Sequence, residues 1–376
     1  MEYEKRDGVR DGKIYRRNTA VEVYRLMLMW CIACHHMVIH NSDNIFYFNS
    51  VFDRLFLRAF FLPLGKAAVG SFVFVSIWFI AVNQDFSFNT AFKRVMSLDR
   101  TVLFYSIVLG TISIAVGSKA IDFSYCAQIF MPVLTGASWW FVTSYAFLIL
   151  ILPYLLRLLR TLTKKEHEIT CGMLIVMLGV FRYLPFVSFP IAGSLVDFIC
   201  LTIFTTFLRW HVNTASLNKV KLLGLVVASF AGGALCYYAV GHSAGLIHDF
   251  SERLWNGFIG SSASFLSLGI SIPISLIVLN GEAWYSKGLN YLSKSSFAVY
   301  LISDFPFIRH ELWKNYLTFS NIGLQAGIFS VLAVSLFVTA SCLCFDLLRR
   351  LLLELLGRHL HRQHRRRKLS NIQVGN

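Results

Sequence analysis

Charge is what this sequence has little of. Only 15% of its 376 residues are Asp, Glu, Lys or Arg, whereas 56% are hydrophobic and 34 are phenylalanine. An ordinary soluble domain is about 25% charged, so the shortage excludes a water-soluble globular enzyme and points to a polytopic membrane protein. Tandem repeats and low-complexity tracts are also absent. A cleavable leader is not expected, because residues 1–18 are polar and the first apolar run is too long for a leader's hydrophobic core. The eight cysteines, Cys31, Cys34, Cys126, Cys171, Cys200, Cys236, Cys342 and Cys344, lie almost all inside apolar runs. A thiol there serves as a small hydrophobe, and nothing suggests a disulfide framework.

The charge that is present is lopsided, with 35 basic against 20 acidic residues and a net charge of +15. Nucleic acid is not the expected partner, since no basic fold interleaved with aromatics is present. Much of the excess sits in the tail after Arg349, notably in His361 to Lys368 (HRQHRRRK), and in short loops. That is the pattern of a cytoplasmic anchor touching anionic membrane lipids.

Apolar runs long enough for a span of about 20 residues occur at 18–40, 62–82, 101–117, 138–156, 169–186, 193–212, 220–240, 257–279, 290–306 and 323–347. Ten spans leave no room for a separate soluble domain. The fifth ends in Arg182 and Pro185, and the ninth carries Asp304 and Pro306, so either can be broken or re-entrant. With the N-terminus inside and alternating sides, 26 of the 35 basic residues fall on inner segments and eight on outer ones, as cytoplasmic enrichment in Lys and Arg requires. The expected fold is therefore all-α: a polytopic integral membrane protein of about ten transmembrane helices, both termini cytoplasmic. Its parts are a cytoplasmic N-terminal segment over 1–17, a membrane domain over 18–347 and a basic cytoplasmic tail over 348–376. The outer loops at 41–61 and 118–137 contain Asn41, Asp43, Asn44, Asp53, Asp122, Tyr125 and Gln128, which suit either a vestibule for a sugar-like ligand or ordinary loops.

The first span, NTAVEVYRLMLMWCIACHHMVIH, concentrates the chemistry. An ionisable group at membrane depth costs several kcal/mol unless paired or hydrated, and this span holds Glu22, Arg25, His35, His36 and His40. Eleven helical steps of about 100° bring Arg25 and His36 to within roughly 20° of one face, about 16 Å apart along the axis. Glu22, three residues before Arg25, can pair with it on that face. The pair is either self-neutralising, with Arg25 snorkelling inward, or a cation held for an anionic ligand, to which a guanidinium fork is suited. A neutral His36 can take a proton from an alcohol and return it, or it is a packing residue. His35 lies about 100° round the helix. Residues 31–35, CIACH, match a haem-attachment pattern, but that chemistry uses exposed segments. Cys31, Cys34, His35 and His36 scatter round the helix and lack closing ligands, so no metal is expected.

Lys93, Arg94 and Arg100 lie in the inner loop after the second span. They suit the phosphates of a cytoplasmic nucleotide cofactor, or simply the positive-inside bias. Trp139 and Trp140 at the outer end of the fourth span read as an interfacial aromatic belt.

Arg25 followed by ten residues and His36 resembles the signature of the integral-membrane acyltransferase 3 family. The Gly70 to Ser76 run, Lys93, Arg94 and Arg100, the Trp140, Phe141 and later Pro153 of span four, and the Ser293 to Leu301 run (SKSSFAVYL) with Pro306 resemble the same family in the same order. The likeness covers residues 16 to about 346. It departs at Ile77, where glycine usually follows the serine, in the lack of a proline after Arg100, and at Ser303, often histidine. The resemblance implies a ten-helix membrane domain and transfer of acyl groups, commonly acetyl from cytoplasmic acetyl-CoA, to hydroxyls of extracytoplasmic or lipid-linked polysaccharide. It makes Arg25 and His36 the catalytic pair, with Glu22 fixing the geometry of Arg25, and Lys93, Arg94 and Arg100 the candidates for contact with the CoA phosphates. A bacterial cytoplasmic membrane is the expected location. The rival reading, a transporter or flippase of a polar glycan precursor, calls for inverted repeats and paired broken helices. A purely structural membrane component leaves Glu22, Arg25 and His36 unexplained.

Overall fold

Asn18 starts the main helical body. In the computed structural model, which describes residues 8–10, 13–15, 17–41, 57–184, 193–318 and 327–373, with side chains of the final helix described to residue 355, the Asn18 side-chain oxygen accepts from the Ala20 N–H at 3.0 Å. That satisfies one of the four N–H groups a helix start leaves without partners. Helix α1, Thr19–His40, follows for 22 residues. A π-helical turn at Leu57–Phe61 leads into α2, Leu62–Ile80. Next come α3 (Phe88–Ala115), capped by Ser87, α4 (Phe123–Phe130), the one-turn α5 (Pro132–Thr135) and α6 (Trp140–Thr161). Helix α7 (Lys164–Gly179) opens on a reciprocal Thr163–Glu166 capping box, and α8 spans Ser194–His211. Helices α9 (Lys219–His242), α10 (Gly245–Gly260) and α11 (Phe265–Leu279) follow. The short α12 (Lys287–Ser293), α13 (Ser296–Ser303) and α14 (Pro306–His310) precede the long α15 (Ile328–Gln373). Gly8–Arg10 and Lys13–Tyr15 pair as a small antiparallel ribbon ahead of α1.

The protein is an all-α polytopic membrane protein. Among the described residues six helical stretches are long and apolar enough to cross a bilayer: Leu57–Ile80, Phe88–Ala115, Trp140–Thr161, Lys219–His242, Gly245–Leu279 and Ile328–Leu355. Six is fewer than the ten expected, for local reasons. Helix α1 carries Glu22, Arg25 and three histidines. The fifth expected span is the 16-residue α7, ending in a 3-10 turn at Phe181–Tyr183, and the sixth is the 18-residue α8. The ninth is broken into α12, α13 and α14, its last break falling where Pro306 supplies no N–H and disfavours helical backbone at the residue before it. At the far end α15 continues as helix through residue 348 to Gln373, so the expected tail begins within a helix. The side chains of His361 to Lys368, and Asp43, Asn44 and Asp53 of the first outer loop, lie outside the described residues.

Helix α1 sits at the centre of the bundle, packed on α2, α11, α12, α13 and α15. Around it lies one large core containing Met37, Val73, Trp139, Leu301 and Trp313. The outer surface is apolar instead of charged: Val220 is 77% exposed, Leu235 69% and Phe337 67%. Such a rim suits hydrocarbon, and every helix satisfies its own backbone there. At one end of the bundle the Thr19 N–H donates to the Trp284 carbonyl at 2.8 Å, Asn290 donates to the Arg17 carbonyl at 3.4 Å, and Arg350 donates to the Tyr291 carbonyl at 3.1 Å. The start of α1, the α12 region and the distal part of α15 therefore meet on one side. All three are inner segments in the charge map.

Candidate functional site

The site is built on one face of α1. Near its start Glu22, only 4% exposed, is ringed by donors. Arg17 and Arg25 each stand 3.7 Å from a carboxylate oxygen, and the Ser293 hydroxyl donates to Oε2 at 2.8 Å. The expected Glu22–Arg25 pairing is present, joined by two groups that sequence spacing did not reveal. A buried carboxylate needs such company, because removing it from water costs far more than any one partner returns. The Arg25 guanidinium also lies 5.3 Å from the centre of the Phe72 ring on α2, where a cation gains from the ring's negative face.

This cluster forms the polar end of a cavity of about 160 Å³. Arg17, Arg25, Arg94 and Lys294 contribute its positive charge, and Phe141, Tyr145 and Phe297 line its apolar part. The cations come from the residues before α1, from α1 itself, from α3 and from the α12–α13 turn, three of them inner segments of the charge map. The structure separates the expected cofactor trio. Arg94 faces the cavity, its guanidinium 5.1 Å from the Phe86 ring centre and its Nε buried without a hydrogen-bond partner. Lys93 and Arg100 are exposed and do not line it. On the cavity wall the hydroxyls of Ser76 and Tyr145 share a hydrogen bond at 2.5 Å, which accounts for the serine that ends the Gly70–Ser76 run.

Farther along α1, His36 is 8% exposed, and its Nε2 lies 3.7 Å from Asp304 Oδ1. Asp304, at the end of α13, is 2% exposed and receives a hydrogen bond from Arg309 Nη1 at 3.2 Å. The sequence offered Asp304 only as a polar interruption in a weak span. Its signal was the same as that of Glu22: a carboxylate at membrane depth demands a partner. Tyr300 connects the two regions, its ring 6.4 Å from that of His36 and 5.9 Å from that of Phe141 in the cavity wall. The Ser293 to Leu301 run thus has a use at almost every turn. Ser293 holds Glu22, Ser296 and Phe297 line the cavity, and Tyr300 abuts His36.

The neighbours of His36 face elsewhere. His35 Nδ1 shares a hydrogen bond with the Leu62 carbonyl at 2.8 Å, and Cys34 Sγ lies 3.1 Å from the Ser335 hydroxyl on α15. Cys34, His35 and His36 therefore address three different elements. The ring of His40, one turn beyond His36, is 5.5 Å from it. Ligand atoms of His36, His40 and Asp304 fall within 4.8 Å of one another, close enough for a metal ion. The Asp304 carboxylate already carries the Arg309 cation, which makes the group an ion pair extended to a histidine. In the outer loop Asp122 caps α4 through the Tyr125 N–H, and the Tyr125 hydroxyl meets Ser113 at 2.8 Å, so both have structural work.

Chemically, this arrangement places a cation-lined cavity at one end of α1 and a carboxylate-paired imidazole about 16 Å along it. A family model described as an acyltransferase domain matches residues 18–347. No curated protein and no solved structure matches the chain.

Proposed function

The chain belongs to the acyltransferase 3 family of membrane acyltransferases, and from that premise we propose that it is an O-acetyltransferase of a bacterial cytoplasmic membrane. Acetyl-CoA enters from the cytoplasm, and the acetyl group passes to a hydroxyl of an extracytoplasmic or lipid-linked polysaccharide. The observation that carries this reading is the continuity of the α1 face, from the cavity at Arg25, across Phe141 and Tyr300, to His36 and Asp304. A thioester donor has an anionic end and a slender arm, and the cavity offers cations followed by aromatic walls. The buried, unpartnered Nε of Arg94 fits a phosphate oxygen.

In this reaction the Asp304 carboxylate, 3.7 Å from Nε2, favours the His36 tautomer with its proton on Nε2, which leaves the Nδ1 lone pair to act as base; Nδ1 is buried and has no hydrogen-bond partner among the described residues. Nδ1 takes the acceptor hydroxyl proton as that oxygen attacks the thioester carbonyl carbon. The carbon–sulfur bond then breaks, and the departing thiolate receives the proton from Nδ1. General-base assistance of this kind contributes about 10²- to 10⁴-fold. Arg25 orients the donor and Glu22 fixes Arg25. Acyl transfer by way of His36 itself uses the same residues.

Replacing His36 by Ala tests the proposal. Base-labile acetyl on surface glycan, read by mass spectrometry in cells with and without the protein, is expected to disappear while the variant still accumulates in the membrane. Full acetylation by His36→Ala removes the assignment.

A further inference from the structure

At the end of α1 farthest from the inner segments, three side chains form a cluster that the transfer chemistry uses only in part. His36 and His40 stand one helical turn apart on the same face, their ring centres 5.5 Å apart, and Asp304 at the end of α13 closes the group. One ligand atom from each lies within 4.8 Å of the other two. Two imidazoles four residues apart on a helix are a recurrent zinc clamp. In a tetrahedral zinc site with bonds of about 2.0–2.1 Å, ligand atoms sit about 3.3 Å apart. His36 Nε2 and Asp304 Oδ1 already stand at 3.7 Å, and a shift of about 1.5 Å or less at His40 completes three corners. His35, engaged with the Leu62 carbonyl, takes no part. Two ring nitrogens and one carboxylate suit zinc and disfavour magnesium or calcium, which seek oxygen.

We propose that His36, His40 and Asp304 form a reversible zinc site whose occupation shuts off acyl transfer. The inhibitory part rests on the role given to His36 above. A bond from zinc to Nε2 needs the lone pair of that nitrogen, so the single proton of the neutral ring moves to Nδ1. The lone pair that takes the acceptor hydroxyl proton is then gone, and attack on the thioester loses its base. The surroundings set the site's strength. Arg309 donates to Asp304 Oδ1 at 3.2 Å; a carboxylate has lone pairs enough for the metal as well, but the guanidinium charge opposes a second cation. The new Nδ1–H is buried with no acceptor among the described residues, an unfavourable state for a donor. Zinc is therefore held as a reversible inhibitor and not as a resident cofactor. It has a way in: His40 is half-buried, and the Arg309 side chain beside the carboxylate is 36% exposed.

The test is equilibrium dialysis of zinc chloride against the purified full chain, with cobalt as a spectroscopic substitute. Beside it runs transfer of label from acetyl-CoA into base-labile ester, in membranes that make the glycan. The parent is expected to bind zinc saturably, to give the intense visible bands of tetrahedral cobalt, and to lose transfer as the site fills; magnesium does neither. His40→Ala is expected to keep zinc-free transfer. It raises the zinc needed for half-occupancy and for half-inhibition about tenfold or more, since even a supporting group of a metal site is worth about 10- to 100-fold. His40→Gln carries the same comparison if His40→Ala fails to accumulate. Occupancy and inhibition unchanged in both variants overturn the assignment and place zinc elsewhere. A filled site with undiminished transfer overturns the inhibitory role. A parent that binds no zinc rejects the inference and leaves the O-acetyltransferase reading standing. If the parent makes no ester even without zinc, that reading falls and the inhibitory role with it, while the cobalt bands still decide whether the site exists.

Discussion

His36 Nε2 and Asp304 Oδ1 stand 3.7 Å apart, with Arg309 3.2 Å from the same carboxylate oxygen. The two residues come from α1 and from the broken ninth segment, 268 positions apart in the chain, so the break at Pro306 has a use: it ends α13 where its last polar residue meets the histidine.

Asp304→Asn keeps the shape of the side chain but removes the charge that orients and supports the imidazole. Glycan ester formation is expected to fall on the order of 100-fold or more, while the affinity for acetyl-CoA stays near that of the parent, because the donor cavity lies on the other side of Tyr300. Ester content by mass spectrometry and donor binding on the same preparation check this. A parallel loss of both indicates that Asp304 matters only for folding.

The basic residues of the first inner loop are expected to separate. Arg94→Gln removes a guanidinium from the cavity and weakens acetyl-CoA binding about tenfold. Lys93→Gln and Arg100→Gln remove exposed charges and change it by about twofold or less, as screened surface charges do. Equilibrium binding to all three variants decides the point, and equal effects of the three defeat the placement.

The sequence made α1 legible because polar groups in a hydrocarbon-depth helix stand out one by one. The Glu22–Arg25 pair follows from a three-residue spacing, and the shared face of Arg25 and His36 from an eleven-residue one. Their partners do not follow. Ser293, Asp304 and Tyr300 reach α1 only through the packing of α12 and α13, and no local periodicity encodes which face of one helix meets another. The same limit explains the cofactor trio. Lys93 and Arg94 are neighbours in sequence but differ by about 100° on α3, and only packing decides which of them faces inward. The count of apolar helices among the described residues differs from ten where the runs were read by length alone: α7 is short, and the ninth segment is broken.

The charge knot at the start of α1 is expected to carry stability as well as orientation. Glu22→Gln leaves Arg17 and Arg25, with side chains 11% and 24% exposed, without their carboxylate. Breaking these partly buried ion pairs costs less than the roughly 3–5 kcal/mol of a fully buried one, on the order of 2–3 kcal/mol, whereas Ser293→Ala removes a single hydrogen bond worth about 1 kcal/mol. Thermal melting in detergent, followed by intrinsic fluorescence, is expected to rank the two variants in that order. The reverse order implies that the Ser293 contact, and not the ion pairs, anchors α12 to α1.

Gly65 and His35 set the spacing between α1 and α2. A Cβ at Gly65 would press into His35 Cγ and lie 2.8 Å from its Nδ1, the nitrogen engaged with the Leu62 carbonyl. Gly65→Ala therefore forces the ring out of its hydrogen bond or the helices apart, an overpacking cost of about 1–3 kcal/mol. His35→Ala alone creates a void and loses the same hydrogen bond. Combined, the two substitutions relieve each other, since the new methyl enters the space the imidazole leaves. The double variant is expected to be more stable than the sum of the single effects by about 1 kcal/mol or more, the signature of residues in direct contact. Melting temperatures of the four proteins close the cycle. Additive losses place the clash elsewhere. Transfer activity recovering with stability in the double variant separates His35, which spaces the helices, from His36, which the chemistry needs.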